Sequence, residues 1–157
     1  MLLIFKPLIK NLACAKICLV AFGFFAFLLA GCTSVNVRPV PPEHSIKSVT
    51  IIENPKVKIN DFTDALIAGF ARHGINAKVV PETAELKKDE YIVTYVAYRN
   101  WDFAPYLRDA TVKIEKNNEV VALAEYHLRG GGGLSLAKWN STKSKMDPVI
   151  DKLLKNF

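Results

Sequence analysis

The histidines are the side chains in this sequence best suited to acid–base chemistry, and there are three of them. Two positions separate Glu125 from His127 in a segment with strand-like alternation, so both side chains are predicted to share one face of a strand. A carboxylate beside an imidazole can orient a general base, which gives a hydrolase hypothesis. No turn motif marks a nucleophile, however, and a solvated sheet face explains the pair equally well. We therefore predict no catalytic residues.

Metal and nucleotide sites are not indicated either. The three histidines lack metal-ligand spacing, so we expect no metal and no other cofactor. The run Gly130 to Gly133 precedes Lys138, but a phosphate-binding loop needs its lysine directly after the last glycine and a Ser or Thr next to it. Here the lysine comes five residues later. The glycines predict a flexible connection, or a mobile loop that becomes ordered on a partner.

One cysteine, Cys32, stands where its thiol can be modified. It follows an apolar span, residues 17–30, which three lysines precede. Basic residues, an apolar run and small residues before a cut are typical of a secretory signal peptide. The span counts 14 residues, too few for a transmembrane helix, which needs about 18 or more. An ordinary cleaved signal peptide would explain the charges and the apolar run, but it does not require Leu29, Ala30, Gly31 and Cys32 in that order.

The order Leu29-Ala30-Gly31-Cys32 resembles the lipobox of bacterial lipoproteins. That resemblance implies that the Cys32 thiol receives a diacylglyceryl group, that the chain is cut after Gly31, and that the new amine is acylated. Residues 1–31 would be the signal peptide, and fatty acids on Cys32 would hold the mature chain in the membrane. Inner-membrane retention in many Gram-negative lipoproteins goes with Asp after the cysteine, so Thr33 implies sorting to the outer membrane.

Removal of residues 1–31 changes the composition of the chain. That segment holds three lysines and no acidic residue, so the formal net charge falls from +6 to +3. A charge of +3 is modest, and we predict no nucleic-acid binding. The remaining 126 residues suffice for one domain with its own core. Cys32 is their only cysteine, so no disulfide can form within the mature chain.

The segment after the cysteine is predicted to be a tether. Residues 33–42 contain three prolines and several polar side chains, which favour an extended polyproline II segment that would hold the domain about 30 Å from the bilayer. We therefore divide the mature chain into a lipid anchor with a proline-rich tether, residues 32–44, and a single domain, residues 45–157.

Hydrophobic periodicity predicts the element order β-α-β-β-β-β-α in that domain. The Asn117-Asn118 pair predicts a two-residue hairpin turn, and Asp147-Pro148 predicts the start of the last helix. The fold class is α+β with two layers: a mainly antiparallel sheet and helices on one face. Strands are expected at residues 45–53, 75–80, 91–99, 106–116 and 119–128, and the first helix at residues 62–70.

Large aromatic residues crowd one connection between strands. Trp101, Phe103 and Tyr106 lie there, and Trp139 follows the glycine run. They either cover one end of the core or form an exposed apolar patch of the kind that marks a contact site. We take these four as candidate partner-binding residues. Trp101 is expected to be structural because it continues the preceding strand, and Phe103 is expected to be exposed at the tip.

Several stretches of the mature chain resemble a family of small Gram-negative outer-membrane lipoproteins of unknown function. That family implies a location but no activity and no catalytic residues. The order of strands and helices also resembles, more distantly, envelope lipoprotein domains such as the N-terminal domain of the Tol-system β-propeller protein, which serve as interaction modules. The stretches that carry the first resemblance are residues 32–35, 101–107, 124–128, 132–136 and 146–151.

The sequence therefore predicts a non-enzymatic interaction or assembly module on the periplasmic face of the outer membrane. Its partners would be the membrane, through the lipid on Cys32, and an envelope protein. One alternative is a protein that binds a small ligand or an envelope polymer through the aromatic loop, and a weaker one is a hydrolase that uses His127.

Overall fold

The structure is a computed structural model, and it describes residues 33–132 and 135–157. The predicted signal peptide and Cys32 lie outside the described residues, as do Gly133 and Leu134. The described chain forms an α+β fold, which confirms the predicted class. No helix within the described ranges is long and apolar enough to cross a bilayer. The elements are β1 (Thr33–Arg38), β2 (Ser48–Ile52), α1 (Phe62–Arg72), β3 (Asn76–Val80), β4 (Ile92–Asp102), β5 (Ala104–Lys116), β6 (Glu119–Leu128), two short 3-10 turns (Arg129–Gly132 and Leu136–Trp139) and α2 (Thr142–Leu153).

The six strands form one sheet in the order β1-β6-β5-β4-β2-β3. The β1/β6, β6/β5 and β5/β4 pairs are antiparallel, while β2 runs parallel to both β3 and β4. The parallel β2/β3 pair follows from the crossover through α1, whereas short turns can only join antiparallel strands. Asn117 and Asn118 connect β5 to β6 with φ angles of 51° and 67°, as the predicted hairpin requires.

Both helices pack on one face of the sheet and leave the other face open. In α1 the predicted apolar stripe is buried, and Gly69 lets α2 approach closely, since a Cβ there would stand 3.0 Å from Cγ2 of Ile150. Strand residues alternate between the covered face and the open face, as the pleat demands. The buried side chains on the covered face include Val49, Ile51, Val93, Tyr95, Ala97, Ala110, Val112, Ile114, Ala122, Ala124, Tyr126 and Leu128.

The predicted tether is wrong where it overlaps β1. Residues 33–38 pair with β6 in the register Thr33↔Leu128 to Arg38↔Leu123, and Val40 is fully buried with its amide bonded to the carbonyl of Leu153 at 2.9 Å. The valines of β1 alternate with polar residues at period two, a strand pattern that the nearby prolines obscured. The folded domain therefore begins at Thr33 and not at residue 45.

The last helix also begins earlier than predicted. The hydroxyl of Ser141 caps its first turn by accepting the amide of Ser144 at 3.2 Å, and Pro148 lies inside the helix. Buried side chains at Thr142, Lys145, Met146 and Val149 extend the packed stripe toward the N-terminus. The burial of that additional turn stabilises a helix start that lies before the one predicted from Asp147-Pro148.

Candidate functional site

The hairpin of β4 and β5 projects past the rest of the sheet and ends in exposed apolar side chains. β5 pairs with β4 from Ala104 onward but with β6 only from Asp109 onward. At its end Trp101 is 70% and Phe103 86% exposed, and Leu136 of the second 3-10 turn is 77% exposed. We call Trp101 and Phe103 the apolar tip. Exposed apolar groups in one part of a surface are characteristic of contact sites.

The backbone at Phe103 is in the left-handed region, with φ at 58°. Glycine or asparagine normally occupies such a position, because the left-handed conformation costs other residues about 1–2 kcal/mol. A bulky aromatic side chain there is unfavourable for folding and gains little burial in return. Strain of this kind is concentrated at functional sites, so the position supports a role for Phe103 outside the stability of the domain.

Side chains beneath the tip hold it in place. The carboxylate of Asp102 pairs with the amine of Lys138, and the indole of Trp139 donates to the carbonyl of Asp102 at 2.9 Å. The Trp139 ring meets Phe103 edge-on, with centroids 6.5 Å apart. Lys138 itself is buried, and its amine lies 4.4 Å from the centroid of the Trp139 ring. The carboxylate and the carbonyl of Asp102 are thus satisfied within the protein, and the side chains of Trp101 and Phe103 are exposed.

Gly132 permits this arrangement. Its φ is +81°, and a Cβ at this position would stand 2.8 Å from Cβ of Lys138. Any side chain would therefore force Lys138, the partner of Asp102, or its own backbone to shift. In the described part of the glycine run, one function of glycine is this close approach of two backbone segments.

A second lysine lies deeper in the same region. Lys145 donates to the carbonyl of Leu107 at 3.1 Å and to that of Lys138, and its amine lies 5.7 Å from the ring centroid of Tyr106. Burial lowers the pKa of Lys145. The two carbonyls belong to β5 and to the second 3-10 turn, so Lys145 joins the hairpin to the segment that supports it.

The four predicted partner-binding residues differ in how exposed their side chains are. Phe103 is exposed, and Trp139 is half-buried beneath it. Tyr106 is only 7% exposed, so most of its side chain packs in the core. Trp101 was expected to be structural, but the hairpin extends beyond its neighbours and leaves this side chain in solvent.

His127 lies on the open face of the sheet with a different partner from the one predicted. Its Nδ1 bonds to the carboxylate of Asp109, which is opposite in the register, while Glu125 accepts a bond from Asn36 at 3.2 Å. Ser34 lies opposite His127 on β1, but its hydroxyl accepts a bond from Arg129 at 3.4 Å. Among residues 33–132 and 135–157, His127 has no hydrogen bond to a hydroxyl, and no cluster of three potential metal ligands occurs.

A shallow cavity of about 320 Å³ lies beside the tip. Tyr106 and Trp139 contribute aromatic surface to its wall, Lys58 and Arg99 contribute positive charge, and Asp61 contributes one negative charge. A cavity with this lining suits a small anionic or sugar-like ligand better than a purely apolar one.

Comparisons with known proteins identify distant similarities only. No protein-family model and no curated protein matches the chain. Among solved structures, the chain is similar to a PelC dodecamer from Paraburkholderia phytofirmans at 14% identity and a TM-score of 0.47, over 74% of this chain and 96% of that one. It is also similar to a minor lipoprotein from Acinetobacter baumannii at 18% identity and a TM-score of 0.28, over 68% of this chain and 85% of that one. Similarity at this level does not transfer a function.

Proposed function

We propose that this chain is a lipid-anchored envelope protein on the periplasmic face of the outer membrane, and that its α+β domain is a non-enzymatic interaction module. The Leu29-Ala30-Gly31-Cys32 order after an apolar span supports the lipid anchor. Thr33 supports outer-membrane sorting by the resemblance given above. The fold adds one constraint, because β1 starts at Thr33 and a single peptide bond joins that residue to Cys32. The domain is thus held directly against the membrane and not at the end of a tether.

The apolar tip carries the proposal of an interaction module. Phe103 is 86% exposed at a left-handed φ, and Asp102 and Trp139 support it from below. An exposed phenylalanine there costs backbone energy and adds almost nothing to the core. A contact with another envelope component explains why the position carries an aromatic side chain. We place that contact at the tip. The expected partners of the chain are the membrane, through Cys32, and an envelope protein.

The surroundings of His127 support binding over catalysis. A general base needs an orienting group and a reacting group within hydrogen-bond reach. Asp109 supplies the first. Among the described residues no hydrogen bond joins His127 to a hydroxyl that could supply the second.

Binding of a small ligand or an envelope polymer is the second candidate function. The cavity beside Tyr106 and Trp139 favours it, since aromatic faces and the charges of Lys58 and Arg99 line that space. Titration with soluble glycans and anionic oligosaccharides, read by tryptophan fluorescence, tests this candidate. A saturable change that Arg99→Ala abolishes would favour it over the interaction module.

Metabolic labelling with a fatty-acid probe tests the anchor. Wild-type protein should carry the label and fractionate with outer membranes, whereas Cys32→Ser should give an unlabelled precursor of higher mass. Three acyl chains should keep the wild-type protein in the membrane fraction at high salt, because two already give stable attachment. Persistent labelling of the serine variant would refute the assignment of Cys32.

Photo-crosslinking in intact cells tests the contact surface. A benzoylphenylalanine at position 103 should give adducts with envelope components. The matched control carries the same group at Val120, which is 40% exposed and lies at the opposite end of the sheet. Adduct yields at position 103 no higher than at position 120 would contradict a contact at the tip.

A further inference from the structure

The register of the sheet brings the lipidated end of the chain and the apolar tip to the same end of the domain. β4 runs toward the tip and β5 returns from it, while β6 runs toward the same end and β1 starts there. Thr33, the first residue of β1, is opposite Leu128, the last residue of β6. The other end of the sheet carries the Asn117-Asn118 turn.

The separation between Thr33 and the tip can be estimated from strand geometry. Asp109 pairs with His127, so Arg108 is level with Leu128 and with Thr33. Phe103 lies five residues farther along β5, which corresponds to about 16 Å at the usual rise per residue. Two strand spacings separate β1 from β5, or about 10 Å. When the strands tilt toward the bilayer, the tip and Thr33 can lie at the same distance from the membrane surface. Cys32 is bonded to Thr33 and so lies near that level too.

The chemistry of the tip suits the interface between lipid and water. Tryptophan and other aromatic rings are favoured at the level of the lipid headgroups. A polar group that reaches the acyl chains below the headgroups without a partner is costly, but the carboxylate of Asp102 is paired with Lys138 and its carbonyl with Trp139. The tip can therefore enter the headgroup layer without exposing these groups of its turn.

The charges around the tip favour an anionic surface. Arg99 and Arg108 are exposed on the hairpin, and Arg129 is exposed directly after β6. Arg108 is paired with Asp109 at 3.3 Å, which also bonds to His127, so Arg99 and Arg129 carry the positive charge available at this end of the domain. Basic side chains close to a membrane are attracted to anionic headgroups.

We propose that the envelope component that the apolar tip contacts is the lipid surface itself. Trp101 and Phe103 enter the headgroup layer of the membrane that holds Cys32, and Arg99 and Arg129 contact anionic headgroups. This inference rests on the lipid anchor of the proposed function. The acyl chains supply the attachment, and the tip supplies a second point of contact that fixes the orientation of the domain. The open face of the sheet then has a defined direction relative to the membrane.

Tryptophan fluorescence of the full lipidated chain in vesicles tests this proposal. The vesicles contain phosphatidylethanolamine and phosphatidylglycerol, with or without bromine on the acyl chains as a quencher. Trp101 is read as the difference between the wild-type protein and Trp101→Phe, which leaves Trp139 as the common background. The matched control adds Val120→Trp to Trp101→Phe, which moves the reporter to the opposite end of the sheet.

The proposal predicts a blue shift of the Trp101 emission, quenching by brominated lipid and protection from acrylamide. The reporter at position 120 should show none of these changes. Mass spectrometry and vesicle flotation of the same samples establish whether the chain carries lipid and binds the vesicles.

The outcomes separate this inference from the proposed function. A lipidated chain that floats with vesicles but whose Trp101 remains unquenched and accessible to acrylamide overturns the membrane contact alone. Protection of Trp101 that depends on protein concentration and not on brominated lipid assigns the tip to a second copy of the chain, and also overturns it. A chain that acquires no lipid in cells overturns the anchor and this inference together.

Discussion

Alanine substitutions at two aromatic residues of the β4–β5 hairpin should have very different effects on stability. Tyr106 is 7% exposed and Phe103 is 86% exposed, although only three positions separate them. Tyr106→Ala should lower the free energy of unfolding by about 3 kcal/mol or more, because it leaves a cavity in the core. Phe103→Ala should change it by no more than about 0.5 kcal/mol, as is usual for surface sites. The main contact it loses is the edge-on approach to Trp139 at 6.5 Å.

A third variant tests the backbone argument. Phe103→Gly removes the left-handed strain of about 1–2 kcal/mol but adds about 0.5–1 kcal/mol of backbone entropy to the cost of folding. The protein should therefore be unchanged in stability or up to about 1.5 kcal/mol more stable. By contrast, Phe103→Ala retains the strain because alanine has a Cβ.

Urea unfolding of the purified chain, followed by circular dichroism, measures all three variants. The dependence of the unfolding free energy on urea should stay constant, so that the midpoints report stability directly. A loss above about 1.5 kcal/mol for Phe103→Ala, well outside the usual range for a surface site, would refute the view that Phe103 has no structural role. A similarly small effect of Tyr106→Ala would show that the hairpin packs differently from the structure.

Three further predictions concern the core and the helix contacts. Gly69→Ala should lower the stability by about 1 kcal/mol, because overpacking against Ile150 costs about 2 kcal/mol and the gain in helix propensity is about 1 kcal/mol. In a double-mutant cycle, Ile150→Val should remove that loss, and additive effects of the two substitutions would contradict the contact. Burial, aided by the charge of Asp109, raises the pKa of Tyr126 to about 12, so the stability of the wild-type protein should fall as the pH rises from about 10, the pKa of the phenol in the unfolded chain. Tyr126→Phe should abolish that slope and, because the hydroxyl has no hydrogen-bond partner within the described residues, should stabilise the protein by about 1 kcal/mol at neutral pH; an unchanged alkaline slope in chemical denaturation would contradict this. The pKa of Asp151 lies below its usual value, because hydrogen bonds from Arg72 and His73 outweigh the opposing effect of burial. The carboxylate therefore stabilises the fold above about pH 4. This contribution is lost as the pH falls through the lowered pKa. Asp151→Asn should flatten the acid side of the stability profile, and an identical profile would show that the contact is too exposed to matter.

Local patterns in the sequence predicted the features that depend on neighbouring residues. The stripe from Phe62 to Phe70 defines α1 because its spacing matches one face of a helix. The Asn117-Asn118 turn is determined by the positive φ angles that asparagine tolerates. The lipid anchor proposed at Cys32 likewise depends on adjacent residues. Each of these signals lies within about three helical turns of sequence.

Pairing between strands that are far apart in the sequence determined the features that those local patterns did not predict. β1 is a strand because β6 offers it a partner: Thr33 pairs with Leu128 across most of the domain, and prolines beside a short strand hide that possibility from a local view. The partner of His127 is Asp109 and not Glu125, because the register of β5 and β6 places it opposite. The tip is exposed because β5 and β4 continue where β6 ends, so the same hairpin holds a buried Tyr106 and an exposed Phe103. Sequence spacing determines which residues share a face of one strand, but burial and contact across strands depend on where each neighbouring strand begins and ends, which only the assembled sheet determines.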